Sequence, residues 1–116
     1  MENCIFCRIA EGSISADIVA QDETFVAFRD IHPQAAVHVV IVPRKHWPDL
    51  LQMSGDPEGE SVAKALPKFV SDTARACGVD KTGFRLISNC GKDSGQSVLH
   101  VHVHLLGGES LGDRIR

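Results

Sequence analysis

The chain has 116 residues, 43% of them apolar, enough for one domain, spanning 1–116, with a core that needs no disulfides. Twelve basic against fifteen acidic residues give a formal charge of −3 with no Lys/Arg stripe, which argues against a nucleic-acid polymer as partner. No apolar run approaches the roughly 20 residues of a membrane span, and Met-Glu-Asn-Cys does not open an export signal, so a cytoplasmic location without a membrane partner is expected.

Residues 4–11 space Ile5, Phe6 and Ile9 as a short helix does, stopped by Gly12 and Ser13. Residues 18–21 and 24–29 read as strands around an Asp22-Glu23 turn, a hairpin. Residues 37–42, β-branched and closed by Pro43, suit a central strand. Trp47 is expected to pack at a helix start before Pro48, and 54–59 reads as a loop. From Glu60 to Cys77, Val62, Leu66, Phe69, Val70, Ala74 and Cys77 recur at helical spacing, with Gly78 as the stop. Pro67 lies inside that pattern, where it bends the helix or marks a later start. Residues 84–89 and 98–106 complete the strands. The order predicts an α+β domain: an antiparallel meander sheet with one long helix on a face and a short N-terminal helix.

The last strand carries the chemistry. His100, His102 and His104 alternate with Val101, Val103 and Leu105, so the three imidazoles share one side of a strand. At about 3.4 Å per residue, neighbours are roughly 7 Å apart at Cα and the outer pair about 14 Å, too far for one metal ion to take all three. His102, flanked by both partners, is best placed to react. An imidazole near its usual pKa of about 6.5 keeps one nitrogen free at neutral pH, provided the other donates to a fixed acceptor, for which a backbone carbonyl is expected. Upstream, residues 89–97 (Asn-Cys-Gly-Lys-Asp-Ser-Gly-Gln-Ser) form a glycine-containing loop that offers donors to phosphate oxygens without being a Walker loop.

Residues 100–106 match the signature His-φ-His-φ-His-φ-φ (φ apolar) at every position, and the chain resembles the histidine-triad (HIT) family. The likeness reaches the Hint-like branch, purine nucleoside phosphoramidate hydrolases, through Ile5-Phe6, residues 27–35, His38, Val42-Pro43, Asn89, residues 95–98 and Gly107-Gly108. It implies a HIT-like fold and a homodimer whose sheets join, with a purine nucleotide bound in each protomer. His102 then resembles the nucleophile of a nucleotidyl-histidine pathway, and His100, His104 and His38 its catalytic neighbours. His38 alone would read as structural, and His32 as a turn residue. Gly95, Gln96 and Ser97 match positions around the phosphate, and Asp30 and Asn89 those near the ribose. Ile5, Phe6, Ile9, Phe28 and Ile31 match the slot for the base. The tail from Glu109 departs from the aromatic, proline-containing tail of animal Hint members.

Cys4-Ile5-Phe6-Cys7 is a CxxC pair, half of a tetrahedral zinc site, with His46 and His100 able to complete it. Some HIT members with an N-terminal CxxC resemble this, and the implied zinc is structural, with no cofactor for catalysis. The plain alternative is two reduced thiols; Cys77 and Cys90 read as packing or loop residues. The expected activity is hydrolysis of purine nucleoside 5'-phosphoramidates to monophosphate and amine. The alternatives are a dinucleoside polyphosphate hydrolase and a zinc-containing nucleotide-binding or scaffold protein whose hydrolysis is incidental.

Overall fold

The β-branched runs fold as five antiparallel strands, in a computed structural model that describes residues 3–115. Strands β1 (Ile18–Gln21), β2 (Phe25–Arg29) and β3 (Val37–Pro43) form a meander, as the hairpin spacing predicts. Then the chain crosses over: β5 (Val103–Gly107) lies beside β3 and β4 (Phe84–Ile87) takes the edge, giving the order β1-β2-β3-β5-β4. The link from β3 to β4 runs through the long helix, which frees β4 from pairing with β3 directly.

Helix α3, Pro57–Ala76, covers one face of the sheet. It starts earlier than apolar spacing implies, so 54–59 is not a plain loop. Asp56 caps the helix by accepting from the Glu58 amide, and Pro57 occupies the first turn, where a missing N–H costs nothing. Pro67 lies within an unbroken α3, exposed on its outer side. A five-residue helix, α2 (Leu50–Ser54), precedes it, just past the helix start expected at Trp47-Pro48; it is too short to show a period. Gly59 is the joint between the two. A Cβ there would lie 1.9 Å from the Met53 carbonyl oxygen, so only glycine permits the approach.

Phe25, Ala27, Val39, Ile41 and Leu105 meet Phe69, Val70 and Ala74 of α3 in the main core. The opposite face holds Val26, Phe28, Val40 and Val42, covered by α1 (Ile5–Ala10) through Phe6, Ile9 and Ala10. Both sides of β2 and β3 are thereby buried, which explains why these strands read as continuous apolar runs.

The final strand is shorter than the alternation predicts. It begins at Val103, and residues 98–100 form a bend, so His100 and His102 precede the ladder. Pro43 has no N–H to extend pairing with this segment. Its carbonyl meets the His100 ring instead, 2.9 Å from Nε2, while the Val101 amide donates to the Trp47 carbonyl. Trp47 is buried with Met53 and Val101, ahead of α2 as expected. Among the described residues, no helix is long and apolar enough to cross a membrane.

Candidate active site

A cleft of about 760 Å3 opens between α1, the loop after β2 and the segment 95–98. Ile5, Phe6, Ile9, Phe28 and Ile31 supply its apolar wall, while Asp30, Asn89, Gly95, Gln96, Ser97, His102 and His104 supply its polar side. Ile31 is 87% exposed, a large apolar side chain held at the rim without a cover. Ile14 to Asp17, Arg29, His32, Val40 and Val98 also line the cleft. The connection after α1 carries no motif that could have announced it; His32, read as a turn residue, sits in the loop after β2.

The His102 ring is oriented by the main chain. Its Nδ1 lies 2.7 Å from the His100 carbonyl oxygen. A carbonyl only accepts, so Nδ1 carries the proton and Nε2 keeps its lone pair. The Phe6 ring packs edge-on to this imidazole at 5.0 Å, as does His104 at 5.0 Å.

His104 is set by a second chain of bonds. The Gln34 amide donates to His38 Nδ1 at 3.0 Å, which leaves the proton of a neutral His38 on Nε2. That Nε2–H donates to His104 Nδ1 at 2.8 Å, so a neutral His104 carries its own proton on Nε2. His38 does not line the cleft; it is buried behind His104, with the Asp30 carboxylate 3.4 Å from its Nε2. Asp30 also accepts from the His32 amide at 2.8 Å, which fixes its side chain at the mouth of the loop. Burial, then the neighbouring His102 and His38, hold His104 below the usual imidazole pKa.

Gln96 lines the cleft with its amide group already engaged. Its Oε1 accepts from Gly91 N–H, and its Nε2 donates to the Pro48 and Val98 carbonyls at 2.7 and 3.0 Å. It ties the loop together rather than offering free donors. The loop makes a 3-10 turn at Lys92–Ser94 and leaves it at Gly95, whose φ of +80° suits glycine alone.

His100 parts company with the other two. It has 0% exposure, does not line the cleft, and joins Cys4, Cys7 and His46 instead. With Nε2–H donating to Pro43, its Nδ1 lone pair faces Cys4 Sγ at 3.2 Å, Cys7 Sγ at 3.4 Å and His46 Nδ1 at 3.1 Å. Cys7 Sγ lies 3.3 Å from His46 Nδ1, and the four ligand atoms fall within 4.8 Å of one another. Tetrahedral zinc with bonds of about 2.0–2.3 Å needs edges of about 3.3–3.8 Å, close to these separations. Burial, then the adjacent Cys4, pushes the Cys7 thiol up to about 11, and burial holds His46 down and His100 down to about 4. Such a pocket resists thiolate and imidazolium alike, and a divalent cation between the ligands removes the conflict by stabilising thiolates against neutral imidazoles. The four residues fit a zinc ion.

Fold and site together define an α+β protein with an imidazole-lined cleft on one face of an antiparallel sheet. Residues 11–111 match the HIT domain, and the chain belongs to the HIT family. It is 44% identical over 108 residues to a HIT-like protein of Chlamydia trachomatis, covering 93% of this chain and 95% of that one. It is 40% identical over 114 residues to the purine nucleoside phosphoramidase of Escherichia coli K12, covering 96% and 92%. Among solved structures, a HIT family hydrolase from Clostridium thermocellum superposes with a TM-score of 0.92 at 36% identity, covering 100% of this chain and 99% of that one. A histidine triad protein from Clostridium difficile gives 0.91 at 37% identity, covering 98% and 97%.

Proposed function

We propose that the protein hydrolyses purine nucleoside 5'-phosphoramidates through a nucleotidyl-His102 intermediate. The observation that carries this reading is the His102 tautomer: the Nδ1–H to carbonyl bond leaves Nε2 as a free nucleophile beside a second, donating imidazole. The name of the Escherichia coli relative supports the substrate class. The base lies against Phe6, Phe28 and Ile31, Asp30 accepts from ribose hydroxyls, and Ser97 and the amides near Gly95 face the phosphate.

His102 Nε2 attacks the α-phosphorus and the bond from phosphorus to the amine nitrogen breaks. The amine leaves with one added proton, given by His104 in its protonated form. Water then attacks the phosphorus, passes a proton back to His104, and releases the monophosphate with His102 restored. His38 holds His104 in register.

Zinc at Cys4, Cys7, His46 and His100 serves structure in this reading, anchoring α1 to the segment before β5. No cofactor takes part in the chemistry. A homodimer is supported by the edge strand β4, where Phe84 and Leu86 are 39% and 44% exposed beside unpaired backbone.

The test is an adenosine phosphoramidate and a diadenosine polyphosphate assayed side by side, with rapid quench to trap the phosphorus–nitrogen adduct. Faster turnover of the phosphoramidate with a trapped adduct is expected. Preference for the polyphosphate, or nucleotide binding without turnover of either, overturns the reading.

A further inference from the structure

Three features join the Cys/His cluster to the cleft. First, His100 belongs to both. Its ring is held between Pro43 and the thiols, and its main-chain carbonyl orients the His102 imidazole at 2.7 Å. A movement of the cluster that displaces the main chain at residue 100 carries that carbonyl with it. Second, Phe6 stands between the two cysteines in sequence. Its ring touches both systems, with centroids 5.0 Å from His102, 6.1 Å from His100 and 5.5 Å from Phe28. Third, α1 has six residues, and its N-terminal cap is a cluster ligand, Cys4 Sγ, accepting from the Cys7 amide. A helix this short has no stability of its own and stays where tertiary contacts hold it. It is held by the cluster at its N-terminal end, by Arg44 at the Ala10 carbonyl, and along its side by the Val26, Phe28, Val40 and Val42 patch that continues into the cleft wall.

We infer that the Cys4/Cys7/His46/His100 cluster and the cleft are one thermodynamic unit, so that a zinc ion in the first and a nucleoside monophosphate in the second bind cooperatively. The inference rests on the proposed nucleotide-binding role of the cleft and extends it to regulation by metal supply. An ion that ties both cysteines to His46 and His100 fixes α1, and with it Ile5, Phe6 and Ile9 in the wall against which the base packs. A base in the slot presses the same side chains toward His100 and lowers the freedom of the ligands. Linkage is reciprocal, so each ligand raises the affinity of the other by one common factor. The cluster is also reachable without unfolding: Cys4 and His46 border an opening that shares Ile5, Ser97 and Val98 with the cleft.

The experiment uses the full chain. Zinc affinity is measured against a chromophoric chelator with and without saturating adenosine monophosphate, and affinity for the monophosphate is measured by calorimetry on zinc-loaded and stripped protein. A common factor of about fivefold or more in both directions is expected. Where stripping unfolds the protein, release of zinc into excess chelator reads the same linkage, slowed by a comparable factor when the nucleotide is present. Phe6→Leu should keep zinc, weaken the monophosphate and reduce the factor. Equal affinities or release rates with and without the partner ligand overturn the inference and leave the proposed activity standing. Failure to bind zinc overturns it through the cluster alone, and failure to bind the monophosphate removes the proposed function with it.

Discussion

The two faces of the sheet are built from the same strands and do opposite work. Toward α3, Phe25, Ala27, Val39, Ile41 and Leu105 close against Phe69, Val70 and Ala74, all hydrocarbon and all buried. Toward α1, the apolar patch of Val26, Phe28, Val40 and Val42 gives way to His38, His102 and His104, each tied by a directed hydrogen bond. The contrast teaches how one small domain separates its tasks. Cohesion comes from the face that is almost all hydrocarbon, where the buried Thr73 hydroxyl donates to the Phe69 carbonyl within α3, so the other can hold imidazoles in fixed tautomers beside an open cleft.

The sharpest way to break this division is to strike each face and read both stability and rate. His102→Ala should lower kcat by about 10^3-fold or more, while affinity for a nucleoside monophosphate and the thermal midpoint change little, as followed by steady-state kinetics, calorimetry and melting. An active His102→Ala protein ends the nucleophile assignment.

Phe69→Ala on the other face opens a cavity beside Phe25, whose ring stacks on it at 5.2 Å. It should cost about 3–5 kcal/mol in urea unfolding while kcat of the folded fraction holds. A large loss of kcat with little loss of stability would mean that the faces are not separate.

The pH profile sharpens the contrast within the cleft. His104 is held below the usual imidazole range by burial, then by His102 and His38, so its protonated form gains population only as pH falls beneath about 6.5. With an amine leaving group that needs this proton, kcat should fall about tenfold per pH unit above the His104 pKa. With a leaving group stable as an anion, that limb should disappear. A limb that persists for both assigns it to another group.

The smallest effect is expected on the outer surface of α3. Pro67 is exposed and lacks the N–H that a helix interior uses, so Pro67→Ala should raise stability by about 1–3 kcal/mol without altering kcat, read by urea unfolding and steady-state kinetics. A loss of stability instead would show that Pro67 shapes the way α3 packs on the sheet.

Much of the fold was legible because alternation and helical spacing are strong signals over long runs. Residues 18–21, 25–29 and 37–43 appear as strands almost to the residue, and Gly78 does follow the long helix. The placement of β5 between β3 and β4 was not legible, since the link through α3 permits either neighbour. Nor was the early start of α3, which depends on the Asp56 cap and Pro57 rather than on apolar period.

In the site, the residues expected to meet do meet, apart from His100 and His38, which stand behind the cleft. Periodicity says only which side a residue faces. It does not say that the chain bends at 98–100, or that Pro43 and two thiols draw His100 away from its neighbours. Gln96 shows the same gap: its residue type suits phosphate, but Gly91, Pro48 and Val98 already occupy its amide.

The acceptor that orients His102 is the oxygen of a peptide bond. No amino-acid replacement deletes that atom, so a scan of side chains passes over the contact even though the tautomer depends on it. It is protected from point mutation and vulnerable to a change of register: one residue inserted between His100 and His102 would leave every imidazole in place in the sequence and disarm the reactive one.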